Sequence, residues 1–454
     1  MARKKTMSLI EDFDKIPEEA LVPEAEQPYP IPAHWKWVRI GCIASASKKK
    51  TDVFSGDQRY LGLENLESGG GLSSISSVDG IKSSKSIFTA GQILYGRLRP
   101  YLDKHIVADF DGVCSTDILV YETSSILNAH YFDFWLSTST FRNAAVSQSK
   151  GINLPRISES ALSQFPFPLP PINEQQEIIA YLEVNLAKID QVTEKLEIFL
   201  ESSEKRVESL LEAAVQGYLT EDWRNQNNYN HDEQKRTKLG KDFDSISEEA
   251  LVSEEEQPYP IPAQWKWVRL GSMIYLLSGR DEPLSACNSE HQGIPYLMGA
   301  SNFHHDGLQF ERWIAEPKVI SKQGNLLITV KGTVGKMAIQ QEPSVNLSRQ
   351  VMGLQPSSLL DVVYLKHYLS TVIQKLNSKA VGLIPGISRD VLLMLSFPLP
   401  PLGEQKRIVS CLEENLIKIG QADSKVHASL GRLRAVKQQL VAAALAGQLT
   451  LKTF

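Results

Sequence analysis

Two stretches of the chain carry the same helical rhythm. Leu182, Leu186, Ile189, Leu196, Leu200, Val207 and Leu210 are spaced by fours, threes or the sum of the two, and Leu412, Leu416, Ile419, Val426, Leu430, Leu433 and Leu440 repeat the spacing. Such steps bring the apolar side chains to one face, as the a and d positions of a coiled coil. After FPLPP, Glu174 and Gln175 open a stretch free of proline and glycine as far as Gly217, which predicts one unbroken helix roughly 60 Å long at about 1.5 Å per residue. Gly217 and Gly447 stand just past the last apolar turn, where a C-cap favours glycine. A helix with a single apolar stripe needs a partner in water, and the matching stripe of its copy supplies one.

The remaining sequence has a shorter period. GQILYGRLRPYLDKHIVADFDGVCSTDILVY (91–121) and GNLLITVKGTVGKMAIQ (324–340) are short apolar runs bounded by glycine and polar turns, as strands are. AHYFDFWLSTSTFRNAAV (129–146) and VVYLKHYLSTVIQKLNS (362–378) then turn helical. Each half is thus a sheet followed by a helix, an α+β arrangement.

Shifting the chain on itself by 230 positions shows why everything comes in pairs. Residues 11–41 and 241–271 agree at 24 of 31 positions, including QPYPIPA and WKWVR, which is far beyond chance. FPLPPINEQ (167–175) pairs with FPLPPLGEQ (397–405), and EAAVQGYLT (212–220) with AAALAGQLT (442–450). Between these islands, 42–164 and 272–394 have little in common beyond GINLPRIS (151–158) against GLIPGIS (382–388). The boundaries that follow are an acidic extension at 1–28, an insert at 29–165, a helical region at 166–225, a linker with a second acidic extension at 226–258, a second insert at 259–395 and a second helical region at 396–454. The acidic stretches, EEALV onward, read only as tethers.

The 454 residues suit two or three domains, and 42% apolar with 22% charged residues describes a globular chain. No apolar run of about 18 residues is present to span a bilayer, and MARKKTMSLIEDFD lacks the apolar core of a secretory signal, so a cytoplasmic location is expected. Cys42, Cys114, Cys287 and Cys411 are isolated and read as buried thiols. The net charge of -5 argues against nucleic acid until it is divided: the inserts carry +2 (29–165) and +4 (259–395), while the first helical region carries -7 and the second +4. Local basic patches can therefore meet phosphate, and the two helices attract one another weakly.

Catalytic constellations are missing. KGTVGK (331–336) lacks the upstream glycine of a phosphate loop and has Met337 where Ser or Thr should bind magnesium, so it reads as a tight glycine turn between strands. AEPKV (315–319) has half a nuclease motif without its partner, and no methyltransferase motif occurs. What remains is binding. Arg97, Arg99, Tyr101 and Lys104 lie within eight residues of a turn, and Lys331, Thr333, Lys336, Arg349 and Gln350 hold comparable places in the second insert. Lys48, Lys49 and Lys50 add an exposed basic run. These are groups suited to phosphates and base edges, and each stretch also reads as a plain solvated loop. Trp35, Trp37, Trp265 and Trp267 alternate beside valines and read as core.

Taken in order, P-x-x-W-x-W-V-R, GQILYGRLRP, FPLPP-x-x-E-Q and A-A-x-x-G-x-L-T resemble the specificity subunits of type I restriction-modification systems over essentially the whole length. The resemblance implies two β-rich mixed target recognition domains, each reading half of a bipartite double-stranded DNA target, joined by two long helices in an antiparallel coiled coil with pseudo-two-fold symmetry. It further implies no catalysis and no cofactor in this chain, two methylation subunits and two restriction subunits as partners, and S-adenosylmethionine, ATP and magnesium in those partners. The rival reading is a coiled-coil scaffold for methyltransferase subunits that does not itself read sequence.

Overall fold

The computed structural model describes residues 9–226, 246–379 and 386–449. The basic start of the chain, most of the 226–258 linker, residues 382–385 of GLIPGIS and Thr450 lie outside them. The chain divides into two compact units, Met1–Glu197 with His427–Phe454, and Ile198–Val426. The division falls within the long helices. Each unit therefore holds one insert, the start of the helix that follows it, and the end of the other helix.

The strands of the first unit are β1 (Lys36–Arg39), β2 (Ala44–Ala46), β3 (Lys50–Thr51), β4 (Arg59–Leu61), β5 (Ser76–Ser77), β6 (Lys85–Phe88), β7 (Ile93–Gly96), β8 (His105–Val107), β9 (Gly112–Cys114), β10 (Ile118–Thr123) and β11 (Pro166–Leu169). Those of the second are β12 (Lys266–Arg269), β13 (Ile274–Ser278), β14 (Cys287–Asn288), β15 (Ile294–Leu297), β16 (Phe303–His304), β17 (Gly307–Leu308), β18 (Trp313–Ile314), β19 (Ile320–Lys322), β20 (Leu326–Thr329), β21 (Met337–Ile339), β22 (Ser344–Leu347), β23 (Val351–Pro356) and β24 (Ser396–Leu399). The inserts that share so little sequence share a fold. One sheet runs β2-β10-β7-β8 in the first unit and β13-β23-β20-β21 in the second. The other has the common core β6-β9-β4-β5 and β19-β22-β15-β18, with parallel pairing only at β4–β9 and β15–β22. They differ at the edge, where β3 joins β6 in the first and β14 joins β18 in the second.

The repeated phrases build the frame that holds each insert. WKWVR pairs antiparallel with the closing phrase, Trp37 opposite Pro168 and Trp267 opposite Pro398, so each insert springs from a two-stranded stalk. Gln175 of the closing phrase is fully buried; its amide accepts from Asn128 N (2.8 Å) and donates to Ile126 O and Pro170 O (2.9 Å each). Gln405 does the same with Asp361 N, Leu359 O and Pro400 O. A glutamine is required because only an amide both donates and accepts there. Tyr131 and Tyr364, each in the helix after its sheet, donate to Pro168 O and Pro398 O.

The opening phrase grips a helix end. Tyr29 Oη donates to Leu445 O and Tyr259 Oη to Val215 O, both at 3.3 Å, and the Trp37 and Trp267 indoles donate to the carbonyls of those tyrosines at 3.2 Å. Gly217 and Gly447 adopt φ of +85° and +67°, the left-handed C-cap their sequence position predicted. A Cβ on Gly217 would stand 2.6 Å from Pro262 Cγ, and one on Gly447 would meet Pro32 and Trp35. Trp35, Trp37, Trp265 and Trp267 of the two phrases are all buried.

The acidic extensions are not tethers. Val22 N donates to Trp37 O (2.9 Å) and Val252 N to Trp267 O (3.0 Å), Ala20 and Ala250 are buried, and Arg39 and Arg269 of the phrase pair with Glu26 and Glu256. The alternation that packs them, A-L-V with Ala and Val inward, was hidden among glutamates.

Helices α1 (Ala129–Leu136) and α2 (Ser139–Ser147) replace the single helix expected at 129–146, because Thr138 caps the second by accepting from Phe141 N. The first long helix is likewise two, α3 (Ile172–Glu201) and α4 (Ser203–Val215), while α5 (Val362–Lys379) and α6 (Leu402–Leu445) are continuous. The break at Ser202 corrects the expectation of one unbroken rod. There Phe199 O accepts from Ser202 Oγ (2.8 Å) and Arg206 Nη1 (2.9 Å), side chains that displace the ladder bond. Asp423 holds the break from α6, accepting from Ser203 and from Arg206 (3.1 Å). In the first unit Leu182 and Leu186 share a core with Val441 and Leu445, and Asp190 pairs with Lys437 at 2.8 Å, so α3 and the end of α6 run antiparallel. In the second, Leu211 and Val215 share a core with Ile408 and Leu412. Every predicted seam residue is buried or half-buried, while Val184, Val192, Ile417 and Val436 face outward. Of the cysteines, Cys42 and Cys114 are buried as expected, with burial pushing the Cys114 thiol up to about 12, whereas Cys287 and Cys411 are only half-buried.

Candidate nucleic-acid interface

Three turns converge at one end of each insert. The first is a 3-10 turn pinned by a buried asparagine: Gly62 N donates to Asn65 Oδ1 (2.7 Å) and Gly299 N to Asn302 Oδ1 (3.2 Å). The second is the loop from β7 to β8, or from β20 to β21. The third follows β9 or β22. They are tied together identically. Arg97 N donates to Asp117 O and Val330 N to Gln350 O, while Ser115 N donates to Leu61 O and Ser348 N to Leu297 O.

Lys104 and Lys336 lock the first turn to the second. Lys104 Nζ donates to Leu63 O (2.6 Å) and Leu66 O (2.7 Å), and Lys336 Nζ to Ala300 O (2.9 Å) and Phe303 O (3.3 Å). Their ammonium groups thus have main-chain work that the sequence did not reveal. KGTVGK is the tight turn expected, with Gly332 and Gly335 at φ of +72° and +92° and Gly335 N donating to Thr329 O.

In the first unit this ridge carries Arg97, half-buried with Asp117 at 3.7 Å, and the exposed Arg99 and Tyr101. Arg99 and Asp103 both take left-handed φ, +53° and +55°, which is costly for residues with a Cβ and needs bracing. The brace lies beneath. Asp103 is buried and accepts from Arg142 Nη1 (2.7 Å), and His105, also buried, bonds Asp133 Oδ1 through Nδ1 (2.7 Å) with Asp103 Oδ1 3.9 Å from its other nitrogen. Burial favours the neutral imidazole, but Asp133 and Asp103 outweigh it and raise the proton affinity of His105; burial raises that of Asp103. Lys48, Lys49 and Lys50 are exposed. Lys50 lies opposite Ser86, itself opposite Cys114, so it stands two strands, about 10 Å, from the third turn. Lys49 pairs with Glu122 at 3.2 Å.

The second unit presents different chemistry on the same ridge. Lys331 and Thr333 are exposed on the second turn, Arg349 and Gln350 on the third. Arg349 Nε lies 2.6 Å from Asp281, and Gln350 sits against Gly299, where a Cβ would be 2.5 Å from its Oε1. Arg280, exposed beside Asp281 with its N–H on Leu347 O, completes the group and escaped sequence reading, as did Arg156, forked onto Asp117 at 3.0 and 3.1 Å. The signal for the common ridge was present as G-x-x-N in GLEN (62–65) and GASN (299–302), but at a shift of 237 rather than 230.

Among the described residues no group of His, Cys, Asp and Glu could hold a metal ion, and no helix is long and apolar enough to cross a membrane. The duplicated frame thus carries an unlike polar ridge in each unit. The chain belongs to the type I restriction modification DNA specificity family, whose domain matches residues 32–201 and 262–420. It is similar to the EcoDI specificity subunit of Escherichia coli, 35% identical over 201 residues, 43% of this chain and 45% of that one, so it spans under half of that relative. The Escherichia coli EcoBI specificity subunit is 23% identical over 451 residues, 92% of this chain and 87% of that one. Its fold matches, at a TM-score of 0.72 and 22% identity, a chain from work on complex assembly and conformational transition of the type I R-M system, covering 93% of this chain and all of the other. The HsdS subunit from Thermoanaerobacter tengcongensis matches at 0.63 and 22%, covering 94% and all of it.

Proposed function

We propose that this chain reads a bipartite double-stranded DNA target for a type I restriction-modification complex, each unit reading one half-site. The observation that carries this reading is the common ridge with unlike side chains: Arg97, Arg99 and Tyr101 on one, Lys331, Thr333, Arg349 and Gln350 on the other. Guanidinium and amide groups bond base edges, and lysine meets phosphate. The paired helices fix the unread spacer and seat two methylation subunits, to which two restriction subunits add; S-adenosylmethionine, ATP and magnesium belong to those partners.

Titration of a target duplex with the reconstituted methyltransferase at several salt concentrations tests the reading. Specific binding should fall steeply with salt, and Lys331→Ala should lower the slope by about one. A complex that assembles and methylates nothing in a sequence-dependent way would return the chain to the role of scaffold.

A further inference from the structure

A lone exposed isoleucine means little on a protein surface; Ile152 is different because of what holds it. It is 99% exposed at the tip of a loop closed by Lys150 and Arg156, which exchange both backbone hydrogen bonds at 2.9 Å. Gly151 begins the loop at φ +107°, with Leu154 O only 3.1 Å from where a Cβ would stand. Arg156 is forked onto Asp117, Arg99 N donates to Pro155 O (2.7 Å), and Ile157 N to Arg97 O (3.1 Å). The loop is thus a stiff finger fused to the basic turn. Its five residues, Gly-Ile-Asn-Leu-Pro, carry no charge, while Lys150, Arg156 and Arg99 stand at its base.

We infer that Ile152 is a wedge that enters the DNA base stack beside the half-site read by the first unit. The inference rests on the DNA-reading function proposed above. Lys150 and Arg99 at the base of the finger, where Arg156 is engaged by Asp117, complement phosphates beside a groove, and the apolar tip matches the side chains that unstack a base step and kink the duplex. An apolar tip made for a protein partner would have no need of this cationic collar locked to the recognition turn. The opened step extends selectivity to a position that no polar group touches, through the sequence dependence of unstacking.

The test uses the full chain with its methylation partner and a target duplex in which 2-aminopurine replaces one purine at a time, avoiding the methylated adenines. Fluorescence should rise at one step in or beside the first half-site. Ile152→Ala and Ile152→Ser should abolish that rise and weaken specific binding about tenfold with the salt slope unchanged, and Ile152→Leu should retain both. Because the side chain touches nothing in the fold, these variants test the wedge without threatening folding. Specific binding with no bright step, or a bright step that survives Ile152→Ala, overturns the wedge and leaves DNA reading intact. Loss of methylation-subunit association in Ile152→Ala, without a change at the DNA, overturns it in favour of a protein contact. Absence of sequence-specific binding by the unaltered complex brings down the underlying reading itself.

Discussion

Gly217 and Gly447 show how single residues join the repeated phrases. Each ends a helix in a left-handed conformation and leaves room for the proline and tryptophan of QPYPIPAxW. Gly217→Ala adds a Cβ where both backbone and space forbid it, and should cost about 1–3 kcal/mol, read as a lower denaturant midpoint. Gln175→Ala strips partners from two carbonyls and one amide, and should cost at least about 1–3 kcal/mol, the penalty for one such buried group. His105 makes stability depend on pH. Its folded proton affinity exceeds that of the unfolded chain, so its contribution is complete below about pH 6.5 and is lost as pH rises through the raised value. The stability gap between wild type and His105→Gln should therefore be wider at pH 6 than at pH 8.5; a gap that widens with alkalinity would contradict the brace beneath Arg99 and Tyr101.

At the scale of elements, periodicity was legible and interruption was not. The seam positions from Leu182 to Leu440 are all buried or half-buried, as a 3.5-residue repeat that leaves one face to cover requires. The break at Ser202 depends on Arg206 reaching back to Phe199 O and on Asp423 from another helix, partners that no local pattern announces. The acidic extensions misled for a related reason: their packing rests on Ala and Val positions between glutamates. Ridge residues were partly legible as arginines and lysines near turns. Arg280, Arg156 and the main-chain contacts of Lys104 and Lys336 were not, because each depends on a tertiary partner. If the helices are the ruler, adding or removing one heptad within 182–210 should change the unread spacer and leave both half-sites intact; altered half-site bases would refute that division of labour.

For the whole molecule, the phrase near each insert holds the end of the helix that follows the other insert: residues 29–37 meet 445–447, and 259–267 meet 215–217. This explains why the phrase must appear twice almost unchanged while the inserts are free to diverge. The frame makes the same contacts in both places, and the ridges carry different side chains. Replacing residues 42–164 by a foreign insert of the same fold should accordingly change one half-site alone. The most direct test is modified-base sequencing of DNA from cells expressing this chain with its methylation partner. One motif with two dissimilar half-sites at a fixed spacing is predicted; a contiguous motif, a palindromic one, or unmodified DNA despite an assembled complex would contradict two unlike readers on one frame.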